Sequence, residues 1–135
     1  MNAEDEFANP IVLAEKYPAL LNIISPRTTG TFWERLMKSP YSVIRKKIAE
    51  NPNTSAEILA LLAKDENLLV RCNVAQNPNT PPEILAFLAK DKYCLIKVNV
   101  INNPNTSIDT LMSFINDKYQ MVRYVVREKL RSIKK

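Results

Sequence analysis

The chain has 135 residues, 46% of them hydrophobic, which suits one domain with its own core and excludes wholesale disorder. It carries no histidine and a single glycine, Gly30, so the usual general base near neutral pH and any glycine-rich phosphate loop are missing. The formal net charge of +5 is uneven: Glu4, Asp5, Glu6 and Glu15 open the chain, and from residue 17 onward 18 basic residues face 10 acidic ones. Such a surplus permits an acidic partner without requiring one.

Residues 1–6 are polar and acidic, whereas a secretory signal needs a basic start and an apolar stretch. With Cys72 and Cys94 as the only cysteines, the expectation is a cytoplasmic chain with reduced thiols. No apolar run nears the ~20 residues that span a bilayer, so no membrane partner is expected. Asn9-Pro10 followed by Ile11-Val12-Leu13 marks a helix start, and residues 1–12 read as an N-terminal extension or cap.

Next comes a repeat. Asn51-Pro52-Asn53-Thr54, Asn77-Pro78-Asn79-Thr80 and Asn103-Pro104-Asn105-Thr106 recur every 26 residues, with Ser25-Pro26-Arg27-Thr28 as a decayed copy. Ahead of the three tetrapeptides stand Val43-Ile44-Arg45, Leu69-Val70-Arg71 and Leu95-Ile96-Lys97, and Met121-Val122-Arg123 opens a fourth copy. Ile48, Val74, Val100 and Val126 follow four residues beyond the second apolar position, a one-face helical spacing. Beyond the tetrapeptides, Ile58-Leu59 with Leu62-Ala63, Ile84-Leu85 with Leu88-Ala89, and Leu111 with Phe114-Ile115 form second helical stripes; Phe32-Trp33 with Leu36-Met37 is the degenerate version.

The tetrapeptide breaks one helix and starts another. Its proline has no N–H to donate and pushes the preceding asparagine out of the helical region. Thr54 with Glu57, Thr80 with Glu83 and Thr106 with Asp109 have capping-box spacing, and Pro81 is expected at the first helical position. The chain therefore reads as one all-α domain of two-helix units at 13–38 (degenerate), 39–64, 65–90 and 91–116, with a C-terminal cap helix and basic tail at 117–135. A single unit cannot bury enough apolar surface to offset the entropy of ordering it, so the units must stack as an α-solenoid.

Val70-Arg71, Val74-Ala75, Asn77 to Pro81, Glu83-Ile84-Leu85 and Leu88-Ala89 together resemble the leucine-rich repeat variant family. That resemblance implies a right-handed superhelix of short helices with 3₁₀ turns, no sheet, and no particular reaction. One member type holds an iron–sulfur cluster on several cysteines. Cys72 and Cys94 lie at different phases and cannot fill four ligand positions, so no cofactor is expected. More distantly the chain resembles HEAT repeats, in which an Asp and an Arg tie adjacent units. Asp65 to Arg71, Asp91 to Lys97 and Asp117 to Arg123 are each six apart, and with Arg45 they are expected to form such a structural ladder.

Asn51, Asn77 and Asn103, with Asn53, Asn79 and Asn105, either satisfy their own turns or offer a row of amides, the first being favoured. Other columns vary from copy to copy, as expected where packing does not dictate. Lys46, Cys72, Tyr124, Lys47, Asn73 and Asn99 on first helices, and Leu61 and Phe87 on second helices, are the candidate partner-binding residues. Arg123, Arg127, Lys129 and Arg131 are the candidate phosphate-binding residues of an alternative in which the basic surface grips nucleic acid. The expectation is a non-catalytic module that binds a protein partner.

Overall fold

The computed structural model describes residues 38–134. The extension at 1–12 and, apart from Lys38, the degenerate unit at 13–38 with its Phe32-Trp33 and Leu36-Met37 stripe lie outside the described residues, as does Lys135.

Seven helices and no strand occur among the described residues: α1 (Ser42–Glu50), α2 (Ala56–Leu62), α3 (Leu68–Gln76), α4 (Pro82–Leu88), α5 (Cys94–Asn102), α6 (Ile108–Met112) and α7 (Gln120–Ile133). The long helices α1, α3 and α5 end at Asn51, Asn77 and Asn103, whose ψ angles of 121°, 127° and 128° are extended because a proline follows each. Where the Asn-Pro pair would next recur stand Lys129 and Leu130, and α7 runs on to 14 residues. The short helices close with i+3 bonds, such as Lys64 N–H to Leu61 O at 3.1 Å, but no separate 3₁₀ helix lies among the described residues.

The expected threonine caps are not formed. Ser55 and Ser107, one residue later, keep the extended backbone and accept the N–H of Ile58 at 3.4 Å and of Thr110 at 3.2 Å. Thr54 and Thr80 turn back instead and donate their hydroxyls to the carbonyls of Ile48 and Val74, both at 2.6 Å, and Thr106 does the same to Val100. Those carbonyls lack an i+4 donor, because Pro52, Pro78 and Pro104 stand there, and keep only the N–H of the asparagine three residues on, so the hydroxyls clamp the break rather than start the next helix. Pro81 likewise sits at the cap and Pro82 takes the first helical position.

The long helices pack side by side in the order α1, α3, α5, α7. Short helices α2 and α4 each pack on the long helix before and the one after, and α6 packs on α7. Between the two sets run the buried stripes Ile44 and Ile48, Leu59 and Leu62, Val70 and Val74, Leu85 and Leu88, Ile96 and Val100, Leu111 and Phe114, Val122 and Val126. Each such side chain contributes ~1.5–3 kcal/mol by leaving water.

Polar bonds lock each copy to the next. Ala49 O ends α1 with Pro52 three residues on, which has no N–H, while the Asn53 N–H four residues on goes to Asn51 Oδ1 at 2.9 Å. Asn77 Nδ2 supplies the missing donor, at 2.7 Å from Ala49 O and 2.9 Å from Asn51 O. Asn103 repeats this on Ala75 O at 2.7 Å and Asn77 O at 3.0 Å. Asn77 and Asn103 thus do more than serve their own turns: the oxygen of each is local, and its amide holds the preceding copy.

Candidate functional site

The basic and acidic ladder residues form ion pairs between successive copies. Arg45 meets Asp65 at 2.7 Å, Arg71 meets Asp91 at 2.8 Å and Lys97 meets Asp117 at 2.7 Å, all with side chains close to nine-tenths buried. The pairing runs to the Asp twenty residues on, not six residues back. Six residues back it is the backbone that is bonded: Arg71 Nη1 donates to Asp65 O at 2.7 Å and Arg123 Nη1 to Asp117 O at 2.6 Å. Each carboxylate also accepts the N–H two residues on, from Asn67 at 2.9 Å, Tyr93 at 3.0 Å and Tyr119 at 2.9 Å. The Tyr93 ring lies 5.7 Å from Arg71 and 5.3 Å from Lys92, and the Tyr119 ring 5.4 Å from Lys97 and 5.1 Å from Lys118.

These contacts shift titrations as their geometry demands. The hydrogen bond from Arg45 to Asp65 raises the guanidinium pKa against the opposing cost of burial. At Asp117, burial pushes the carboxyl up, but hydrogen bonds from Lys97 and the Tyr119 N–H, with the charges of Lys97 and Lys118, bring it below the usual carboxylate range. Arg123 makes no ion pair among the described residues, and its guanidinium donates to the Asp117 carbonyl alone.

Of the candidate partner-binding residues, Lys46, Lys47, Leu61, Phe87 and Tyr124 are exposed, and Asn73 and Asn99 are half-buried. Cys72 is a correction. It is only 4% exposed, because α1 and α5 pack against α3 on either side, and burial raises its thiol pKa. At the same position Val98 is half-buried, and Lys46 and Tyr124 are exposed. Asn73 Nδ2 donates to Lys46 O at 3.3 Å, while Asn99 Nδ2 is buried without a partner. Among the phosphate candidates, Arg127 and Arg131 are exposed, Lys129 is half-buried, and Arg131 pairs with Glu128.

A further column escaped the sequence reading. Val43 (65% exposed), Leu69 (47%), Leu95 (52%) and Met121 (62%) hold one phase of α1, α3, α5 and α7 and face solvent. Periodicity counts them as a widening of the core stripe beside Ile44, Val70, Ile96 and Val122. An apolar identity in every copy was the available signal. On the middle helices their neighbours are uncharged: Asn73 and Gln76 on α3, Asn99 and Asn102 on α5. A second missed column holds Lys64 and Lys90, exposed just past the ends of α2 and α4, with Lys38 exposed at the same phase.

Among the described residues no group of three or more His, Cys, Asp or Glu side chains could hold a metal ion, and no helix is long and apolar enough to cross a membrane. What the geometry defines, among the described residues, is an all-helical array with a long-helix face, ion pairs between successive copies and exposed lysines past the short helices. Comparison with models of known protein families, with curated proteins and with solved structures finds no match to the chain.

Proposed function

We propose that this chain is a right-handed α-solenoid of 26-residue units, of the leucine-rich repeat variant type, that works as a non-catalytic protein-binding module in the cytoplasm. The observation that carries the reading is the column Val43, Leu69, Leu95 and Met121, apolar in four successive copies and open to solvent in each. Single exposed apolar side chains need no explanation, but an aligned set along a stack of helices suits a partner surface. The exposed amides of Gln76 and Asn102 beside them supply hydrogen bonds without the desolvation cost of charge. Placing the variant pair Leu69→Glu and Leu95→Glu in the full chain tests this. Capture of a protein from native extract, with protection of α3 and α5 from hydrogen exchange in the complex, should be lost in the pair. Unchanged capture and protection would end the proposal.

A second reading, nucleic-acid binding, draws on Arg123, Arg127, Lys129 and Arg131, since Arg123 has no ion pair among the described residues and α7 carries cations along its exposed side. Affinity for an oligonucleotide would then fall steeply with salt. A gel shift with no binding at low salt removes it.

A further inference from the structure

An open groove of about 500 Å³ lies along the C-terminal ends of α2 and α4 and the loops that follow them. It shares no residue with the long-helix face, so it stands or falls separately. Phe87 lines it with half its side chain in water. Lys64, Lys90 and Lys92 line it too, all exposed and none in an ion pair among the described residues. The remaining charges of the lining cancel within the ladder: Arg71 is bound to Asp91, and Asp65 is bound to Arg45. Glu66 adjoins the groove in sequence but does not line it. Three uncompensated ammonium groups therefore surround one aromatic wall.

We infer that this groove docks an acidic peptide segment of a partner protein, its carboxylates on Lys64, Lys90 and Lys92 and one apolar side chain against Phe87. Charge complementarity selects an anionic occupant, and the volume falls within the range of ligand sites. The carboxylates select a peptide over a nucleic acid. Asp65 accepts the Asn67 N–H and two bonds from Arg45, Asp91 accepts the Tyr93 N–H and one bond from Arg71, and carboxylate oxygens have further lone pairs. A peptide backbone brings N–H donors to them, whereas a phosphodiester backbone brings only acceptors. The free cations here are lysines, point charges suited to single carboxylates, and the nearby arginines are already held in ion pairs.

The test is fluorescence anisotropy on the full chain, with a labelled peptide of Glu and Asp around one central Phe. Binding at low salt is expected. The charge-reversed pair Lys64→Glu and Lys90→Glu should weaken it by about tenfold or more, and moderate salt should weaken it as well. Phe87→Ser, or a peptide with Ser for Phe, should weaken it several-fold. All these positions are exposed, and far-UV circular dichroism should match the parent. No binding at low salt, unchanged affinity in the charge-reversed pair, or tighter binding of a labelled single-stranded oligonucleotide would each overturn the inference.

Discussion

Replacing Asn77 by alanine removes three hydrogen bonds at a site only 2% exposed. Two run from Nδ2 to Ala49 O and Asn51 O, and the third brings the Asn79 N–H to Oδ1 at 2.8 Å. Asn51 O keeps the Thr54 N–H at 3.1 Å, but Ala49 O keeps nothing, because Pro52 has no N–H and Asn53 is committed elsewhere. Three bonds at about 1 kcal/mol each give a loss of about 3 kcal/mol, with more for the stranded carbonyl. Asn79→Ala is the control: it gives up one side-chain bond, 3.2 Å to Thr54 O, from an exposed residue and should cost under about 1 kcal/mol. Asn77→Asp is the sharper variant. It keeps the acceptor for Asn79 but points a second oxygen at two carbonyls, so its carboxyl must hold a proton to fit. Its pKa is then raised in the folded state, the penalty is full above that pKa, and stability recovers as pH falls below it. Urea denaturation followed by circular dichroism measures all three. A loss below about 1 kcal/mol for Asn77→Ala, or neutral-pH stability equal to the parent for Asn77→Asp, would refute the assigned role.

Asp91→Asn strands the buried Arg71 guanidinium and should cost about 3 kcal/mol, with Arg71→Met restoring part of it; a double-mutant cycle in urea checks this. The lowered pKa of Asp117 contributes stability that is complete above about pH 4 and is lost as pH falls through the folded value, so Lys97→Met should flatten that acid limb. An acid titration of both proteins identical in shape would contradict it. Iodoacetamide at neutral pH should modify half-buried Cys94 before Cys72, which burial shields and whose thiol it holds protonated, as peptide mapping by mass spectrometry would show. Leu85→Ala, in the core, should cost ~2–5 kcal/mol, whereas Leu95→Glu should stay within about 0.5 kcal/mol, both read from denaturation midpoints.

The helix breaks were legible because a proline acts on its own neighbours, so Asn51, Asn77 and Asn103 end their helices for local reasons. The caps were not, since Thr54-Ser55 and Thr106-Ser107 each offer two hydroxyls in a row, and only the place where ψ turns helical chooses between them. Ladder pairing depends on which copy lies closer in space, which a fixed phase does not reveal; hence Arg71 finds Asp91 rather than Asp65. Cys72 shows the same blindness, as side-on cover by neighbouring helices leaves no trace in a single helix's periodicity. Leu69 and Leu95 show its converse, for an apolar stripe carries no mark of where the layer behind it stops.

Each inter-copy bond has a direction: the amide of Asn77 reaches back to Ala49, and the guanidinium of Arg45 reaches forward to Asp65. A segment such as 65–90, duplicated in tandem, would bring its own backward hook and forward latch, and both would find matching sockets on either side. An insertion of any other length would leave a carbonyl and a carboxylate without mates. The joints therefore admit growth or shrinkage only in whole units, so a longer or shorter array is open to such a chain by gene duplication alone.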